Sequence, residues 1–136
     1  MKKILVLLSV ACLLVCLVSC GKGYVNKYKA GIMNTHCWGD EASMEFSSFS
    51  GTYNFKLKGN NDSDHTLECE ASLGEGEMNV YVGIDGEKEL IFTIKGGESV
   101  DTTVTLDDKY DDTKTIYVIV ESVSDCKNGD FEFDYN

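Results

Sequence analysis

The stretch that decides the fold is Met78-Asn79-Val80-Tyr81-Val82-Gly83-Ile84-Asp85, in which apolar side chains occupy every second position. A period of two places these side chains on one face of a β-strand and their neighbours on the other. Asp85-Gly86 follows directly, and this dipeptide favours the tight turn of a β-hairpin. The residues from Leu90 to Ile94 then form the returning strand. The stretch therefore predicts one hairpin of an antiparallel sheet.

The same alternation recurs along the chain at intervals near ten residues, between segments rich in Gly, Asn and Asp. The predicted strands are 41–46, 51–58, 65–73, 78–85, 90–94, 100–106, 115–120 and 131–135. Residues 115–120 are apolar in both phases, which predicts a central strand covered on both faces. About eight short strands without a helical period predict an all-β domain, an antiparallel β-sandwich or jelly roll, with a barrel as the alternative.

Acidic residues alternate with the apolar ones on two of these strands. Glu68 and Glu70 are predicted to face outward, as are Glu132 and Asp134 near the end of the chain. Trp38, the single tryptophan, is predicted to close one end of the core.

The start of the chain has the features of a bacterial export signal. Lys2 and Lys3 precede an apolar run from Ile4 to Val18, about fifteen residues long, which suits a signal peptide and is shorter than a membrane span. The run ends in Leu17-Val18-Ser19-Cys20, which resembles the lipobox of bacterial lipoproteins. That resemblance implies removal of residues 1–19 and diacylation of Cys20, and hence a protein anchored by lipid at the extracytoplasmic face of the cell membrane.

Three segments are predicted. Residues 1–19 form the signal peptide, residues 20–35 the lipidated cysteine and a tether, and residues 36–136 the β-sandwich domain. The 136-residue precursor carries a net charge of −11, and loss of Lys2 and Lys3 makes the mature chain −13. Lysines in the tether would lie beside anionic lipid, while the acidic domain would be repelled from it.

Charge and composition exclude several classes of function. A strongly acidic chain is repelled by the phosphates of nucleic acids, so no nucleic-acid partner is expected. All twelve basic residues are lysines, and without arginine there is no bidentate fork for a nucleotide phosphate. No serine or cysteine lies in a catalytic frame such as Gly-x-Ser-x-Gly. The prediction is a non-enzymatic binding or interaction module with a protein or glycan ligand; the alternatives are a calcium-stabilised carbohydrate-binding module, a structural envelope protein and a small hydrolase.

Two acidic loops are candidate calcium sites, because calcium takes six to eight oxygen ligands. They are residues 60–64 and residues 107–112. The candidate ligands are Asp62, Asp64, Asp107, Asp108, Asp111 and Asp112. Neither loop matches the twelve-residue calcium-binding pattern of helix-loop-helix proteins, and the alternative is two hydrated turns. No other cofactor is expected.

Three cysteines remain after the signal peptide and the lipidated residue are set aside. Cys69 is in phase with apolar neighbours on its strand and is predicted to be buried. Cys37 and Cys126 lie near turn-like segments and are the candidate disulfide pair.

The last part of the chain resembles a known architecture. Ile116-Tyr117-Val118-Ile119-Val120-Glu121 followed by Gly129-Asp130-Phe131-Glu132-Phe133 is similar to the closing strands of bacterial pre-peptidase C-terminal and related jelly-roll domains. The resemblance implies the sandwich architecture and no activity.

Overall fold

The computed structural model describes residues 24–59, 65–110 and 115–136. In these ranges the chain forms nine antiparallel strands and one 3-10 helix, Asp108–Tyr110. The strands are β1 (Lys27–Ala30), β2 (Met33–Trp38), β3 (Glu41–Lys58), β4 (Thr66–Glu75), β5 (Glu77–Ile84), β6 (Glu87–Lys95), β7 (Ser99–Thr105), β8 (Thr115–Ser122) and β9 (Cys126–Tyr135). Across the same ranges, no helix has the length and apolar character needed to cross a membrane.

The nine strands lie along five lines across the sheet, and each line bends once near its middle. β3 is one line by itself, and the other lines are β2 with β1, β9 with β8, β4 with β5, and β7 with β6. β3 pairs with β9 along its first half and with β8 along its second, so that β8 and β9 continue one another. On the next line, β4 pairs with β9 and β5 pairs with β8. Beyond it, β7 pairs with β4 and β6 pairs with β5. β2 and β1 pair with the other edge of β3.

The bends of the five lines lie side by side and form a crease across the sheet. They fall at residues 31–32, 50–51, 76, 96–98 and 123–125. Hydrogen bonds join neighbouring bends: Gly96 N donates to Gly76 O at 2.8 Å, and Val123 N donates to Glu77 O at 2.8 Å. Gly76 has a φ of +96°, and a Cβ there would press on Cys126, so the sharp bend requires glycine.

The crease folds the sheet into two half-sheets that pack face to face. The first half-sheet contains β2, the first half of β3, β9, β4 and β7; the second contains β1, the second half of β3, β8, β5 and β6. The two ends of β3 meet on closure, because Lys58 N donates to Gly39 O at 2.8 Å. The core lies between the half-sheets and includes the fully buried Met44, Leu57, Leu67, Met78, Val118 and Phe131. The predicted antiparallel β-sandwich is confirmed.

The predicted hairpin and the predicted central strand are also confirmed. Ile84 pairs with Glu87, and the two turn residues Asp85 and Gly86 have φ of 54° and 82°, as a type I′ turn requires. β8 lies between β5 and β3, and its buried side chains come from both phases: Ile116, Val118, Ile119 and Val120. Cys69 is fully buried, as predicted.

Two predictions about the beginning of the domain are wrong. Residues 27–30 and 33–35, predicted as tether, belong to strands β1 and β2. An edge strand exposed on both faces has no alternation of apolar and polar residues, so its sequence does not distinguish it from a linker. Trp38, predicted as a core residue, is 77% exposed, because it pairs with the outward-facing Glu41 on the edge of the first half-sheet.

The predicted disulfide between Cys37 and Cys126 is not formed; both are free thiols, as is Cys69. The register gives the reason. Cys37 lies opposite Ala42, and Cys126 lies opposite Phe49, seven positions further along β3. Seven residues of a strand span about 23 Å, whereas a disulfide requires Cα atoms within about 7 Å.

The three thiols should differ sharply in reactivity, because the thiolate is the reactive form. Burial raises the pKa of Cys69 to about 12, and burial also raises the pKa of Cys126. Cys37 is exposed. In a Cys20→Ala variant without its signal peptide, a chromogenic disulfide reagent at pH 8 should react rapidly with one thiol per chain and with all three in urea. Rapid reaction of a second thiol in the folded protein would contradict this arrangement.

Candidate ligand-binding groove

The outward side chains of the first half-sheet form a regular grid of three rows. Each row crosses five strands in the order β2, β3, β9, β4, β7, because directly paired residues point to the same side of a sheet. The first row is Trp38, Glu41, Asp134, Glu68 and Thr103. The second row is His36, Ser43, Glu132, Glu70 and Asp101. The third row is Asn34, Glu45, Asp130, Ser72 and Ser99.

The grid lines an open groove on the surface. A concavity of about 570 Å³ lies over the first and second rows. A shallower one of about 340 Å³ continues it toward the third row, and the two share Glu70, Asp101 and Glu132. We call this surface the acidic groove.

The acidic groove concentrates negative charge. Eight of the fifteen grid residues are carboxylates, none is a lysine, and His36 is the one basic side chain among them. Glu70 lies directly opposite Glu132 on one side and Asp101 on the other. Like charges in such cross-strand positions destabilise a sheet, so the groove costs folding free energy. Its field attracts cationic ligands over a distance.

Asp134 carries the clearest electrostatic effect of this crowding. Burial raises the pKa of the Asp134 carboxyl above its ordinary value of 3.8, and the neighbouring carboxylates Asp40, Glu41 and Glu68 raise it further. The folded protein therefore holds the proton of this carboxyl more tightly than the unfolded chain does.

Replacing Asp134 by asparagine should stabilise the protein at neutral pH. Because the folded-state pKa is raised, the stability associated with this carboxyl is fully present below pH 3.8 and is lost as the pH rises through the folded value. We expect Asp134→Asn to raise the free energy of unfolding at pH 7 by about 0.5 kcal/mol, of the same order as one cross-strand side-chain pair, and to have little effect at pH 3.

Urea unfolding at the two pH values measures this difference. Asp107→Asn, an exposed acid outside the groove, is the matched control. Equal effects of the two substitutions at pH 7 would show that overall net charge, and not the groove, is responsible.

Three carboxylates at one end of the first row come close enough to share a cation. Oxygen atoms of Asp40, Glu41 and Asp134 all lie within 4.8 Å of one another. The turn at Gly39 and Asp40 places Asp40 there, with Gly39 at a φ of +59° in the first turn position, where glycine is favoured. Carboxylate oxygens are calcium ligands, but a calcium ion takes six to eight oxygens, so backbone oxygens or water would have to complete its coordination.

Trp38 lies at the same end of the groove with its ring in solvent. It is 77% exposed and directly opposite Glu41. An exposed indole beside carboxylates can stack on an apolar ring face or attract a cation to its own face. Trp38 and His36 are the aromatic rings of the grid and both lie on β2, so any stacking in the groove would occur at this edge.

Of the calcium ligands predicted from sequence, the structure describes two, and neither lines the acidic groove. Asp62, Asp64, Asp111 and Asp112 fall outside the described residues, as does Cys20. Asp107 is exposed just before the 3-10 helix that begins at Asp108, and neither belongs to the grid. Calcium binding by the two loops and acylation of Cys20 therefore stay predictions.

The sequence predicted the outward direction of four acids of the groove but did not predict that they lie on one surface. Glu68, Glu70, Glu132 and Asp134 were expected to face outward, and they do. Their assembly on one face depends on the pairing of β4 with β9, which joins segments more than fifty residues apart. Asp40 and Glu41 carry no local signal, because they approach Asp134 through the pairing of β3 with β9.

Comparison with known proteins assigns no family. No family model matches the chain, and no curated protein matches it. One solved structure with similarity is a mutant of CBM29-2, a family 29 carbohydrate-binding module, at 21% sequence identity and a TM-score of 0.38; the match covers 86% of this chain and 78% of that one. This similarity is too low to transfer a ligand to the present chain. At the coarsest level, the fold and site define a β-sandwich domain with an open acidic groove.

Proposed function

We propose that this chain is a membrane-anchored, extracytoplasmic and non-enzymatic binding module whose acidic groove receives a lysine- or arginine-rich segment of a partner protein. The observation that carries the proposal is the grid: eight carboxylates on one face of a five-stranded half-sheet, without a lysine among the grid residues.

The spacing of the grid suits an extended peptide. Successive rows are two residues apart along the strands, which is about 6.8 Å. An extended peptide that runs parallel to these strands presents every second side chain at the same interval. A basic residue at alternate positions would therefore meet one acidic row after another, and charge-assisted hydrogen bonds would fix it in register.

The arrangement of the grid supports binding rather than catalysis. Across the second row the order is His36, Ser43 and Glu132, so the serine lies between the other two. A nucleophilic triad requires the histidine in the middle, where it takes the serine proton and is oriented by the acid. The same three residue types are present, in an order that does not form the triad.

The lipid anchor rests on the sequence at Leu17-Val18-Ser19-Cys20. Two acyl chains on Cys20 would hold the protein stably at the membrane, which one chain does only marginally. The domain would then present its groove to partners at the cell surface.

Peptide titration tests the proposed ligand class. The chain bearing Cys20→Ala, without residues 1–19, is titrated with a peptide of alternating lysine and threonine and with a matched peptide of glutamate and threonine. We expect saturable binding of the lysine peptide that weakens steeply as salt is raised, and no binding of the glutamate peptide. Equal affinity for both peptides, or binding of neither, would contradict the proposal.

A calcium-stabilised carbohydrate-binding module is the second candidate function. Two observations favour it: the cluster of Asp40, Glu41 and Asp134, and the exposed Trp38 beside that cluster. Carboxylates and a coordinated cation would bind sugar hydroxyls, and the indole would stack on the sugar ring.

Thermal unfolding in excess calcium and then in chelator tests this second candidate. An ion that binds only the folded state raises the midpoint of unfolding by mass action. A rise that Asp40→Asn abolishes would place the ion at the cluster, whereas a rise abolished by Asp62→Asn with Asp64→Asn would place it in the predicted loop. Loss of glycan-array signal on Trp38→Ala would then identify a sugar ligand; no calcium shift and no array signal would remove this candidate.

A further inference from the structure

We infer that residues 24–32, together with the outer face of the second half-sheet, lie against an anionic lipid bilayer, so that the acidic groove faces away from the membrane. This inference deepens the proposed function and rests on the lipid anchor at Cys20. We call residues 24–32 and this face the membrane-side surface.

The chain is fastened to the second half-sheet from the first described residue onward. The ring of Tyr24 packs on Tyr117 with centroids 4.7 Å apart, and its hydroxyl donates to the backbone oxygen of Glu87. The phenol lies over Gly83, where any side chain would collide with it. Burial raises the pKa of the Tyr24 hydroxyl to about 12, in keeping with a ring packed on the sheet.

A second contact holds the chain two residues further on, at Asn26. Asn26 Oδ1 accepts hydrogen bonds from Asn54 N at 2.8 Å and from Asn54 Nδ2 at 2.9 Å. Residues 24–26 therefore form a strap across the outer side of the second half-sheet, ahead of strand β1.

The strap leaves little free chain between the domain and the acyl groups. Cys20 precedes Tyr24 by four residues, and four extended residues span at most about 14 Å. A free tether through residue 35 would let the domain take any orientation. A link of this length, fixed to the outer face of the second half-sheet, keeps that face near the bilayer and places the acidic groove on the far side of the sandwich.

The composition of the membrane-side surface suits a bilayer interface. Tyr28 packs its ring on Phe49 and Tyr53. Two other apolar side chains of residues 24–32 are largely exposed: Val25 at 69% and Ile32 at 78%. Such residues can enter the headgroup region and bury apolar area there. They begin five residues after the acylated cysteine.

The lysines of the membrane-side surface also favour contact with an anionic bilayer. Lys27, Lys29, Lys56 and Lys58 are exposed on β1 and on the second half of β3. Each lysine near anionic lipid strengthens the contact by about fivefold. On this face Glu121 is paired with Lys88 at 2.8 Å, and the acids that lie near Tyr24 are Asp85 and Glu87 at the β5–β6 turn. The acidic groove has no lysine in its grid, so an anionic bilayer repels it.

Tryptophan quenching by lipid tests the orientation, because the chain has a single native tryptophan. In a Trp38→Phe background, Val25→Trp places the reporter on the membrane-side surface and Ser72→Trp places it in the third row of the acidic groove. Each full-length lipidated variant is reconstituted into phosphatidylcholine vesicles containing phosphatidylglycerol and brominated lipid. Circular dichroism of each variant verifies that the sheet is intact.

We expect strong quenching and a blue-shifted emission for Val25→Trp. For Ser72→Trp we expect the same emission intensity in vesicles with and without brominated lipid. Lys27→Glu with Lys29→Glu should reduce the quenching of Val25→Trp by at least twofold in anionic vesicles and leave it unchanged in neutral ones. Equal quenching at both positions, or quenching at residue 72 alone, would overturn the orientation.

Flotation separates this result from the anchor itself. If the native chain floats with vesicles to the top of a gradient and the Cys20→Ala variant does not, the lipid anchor is supported whatever the quenching shows. A native chain that does not float with vesicles would overturn the anchor, and the orientation with it.

Discussion

The triple variant Glu70→Gln, Asp101→Asn, Glu132→Gln should bind a lysine-rich peptide roughly 100-fold more weakly than the native protein and yet be more stable. Each exposed charge contact contributes about 1 kcal/mol at low salt, and three of them correspond to about two orders of magnitude in affinity. The three residues are directly paired neighbours in the second row of the groove. Neutralising them also removes two like-charge contacts, which should raise the free energy of unfolding by about 1 kcal/mol.

Opposite signs for binding and stability distinguish a functional surface from an ordinary acidic one. Peptide titration and urea unfolding on the same samples measure both quantities. The matched control is Asp85→Asn, Glu87→Gln, Asp107→Asn, which changes net charge by the same amount at exposed positions outside the groove. If the control weakens binding as much as the groove variant does, the ligand responds to net charge alone and the proposed site is wrong.

Phe46→Ala should destabilise the domain by about 3–5 kcal/mol, the usual cost of removing a buried phenylalanine. Phe46 is 3% exposed and packs against Phe49 and Phe131, with ring centroids 5.3 Å and 6.2 Å away. It also covers Gly129 on the paired strand, where an added Cβ would collide with the phenyl ring. This aromatic ring over a glycine holds the first half-sheet to the core next to the crease.

The effect of Gly129→Ala should depend on residue 46. In the native background the new methyl group is overpacked, and we expect a loss of about 1–3 kcal/mol. In the Phe46→Ala background the ring is absent, so the same substitution should cost little, and the two changes should be strongly non-additive. Chemical denaturation of the four proteins of this cycle measures the coupling. Additive losses would show that the ring does not lie over the glycine in solution.

Much of the fold could be predicted because alternation is a local property of a strand. The period of two in 78–85 and the Asp85-Gly86 turn predicted the β5–β6 hairpin, and the apolar run at 115–120 predicted the central β8. The same reasoning failed for β1 and β2, whose residues are exposed on an edge, and for Trp38. A strand whose two faces are both exposed has no alternation of apolar and polar residues. The sequence around a tryptophan also does not show whether its strand lies at the edge of the sheet.

The sequence by itself determined the all-β class, the antiparallel hairpins and the outward direction of Glu68, Glu70, Glu132 and Asp134, because these follow from residues that are neighbours in the chain. Only the tertiary structure decided that these acids share one groove with Glu41, beside Asp40 in the adjoining turn, and that Cys37 and Cys126 are far apart. Both outcomes depend on which strands pair, in which register, and where the crease falls. Those features are set by contacts between segments distant in sequence, and no local pattern carries that information.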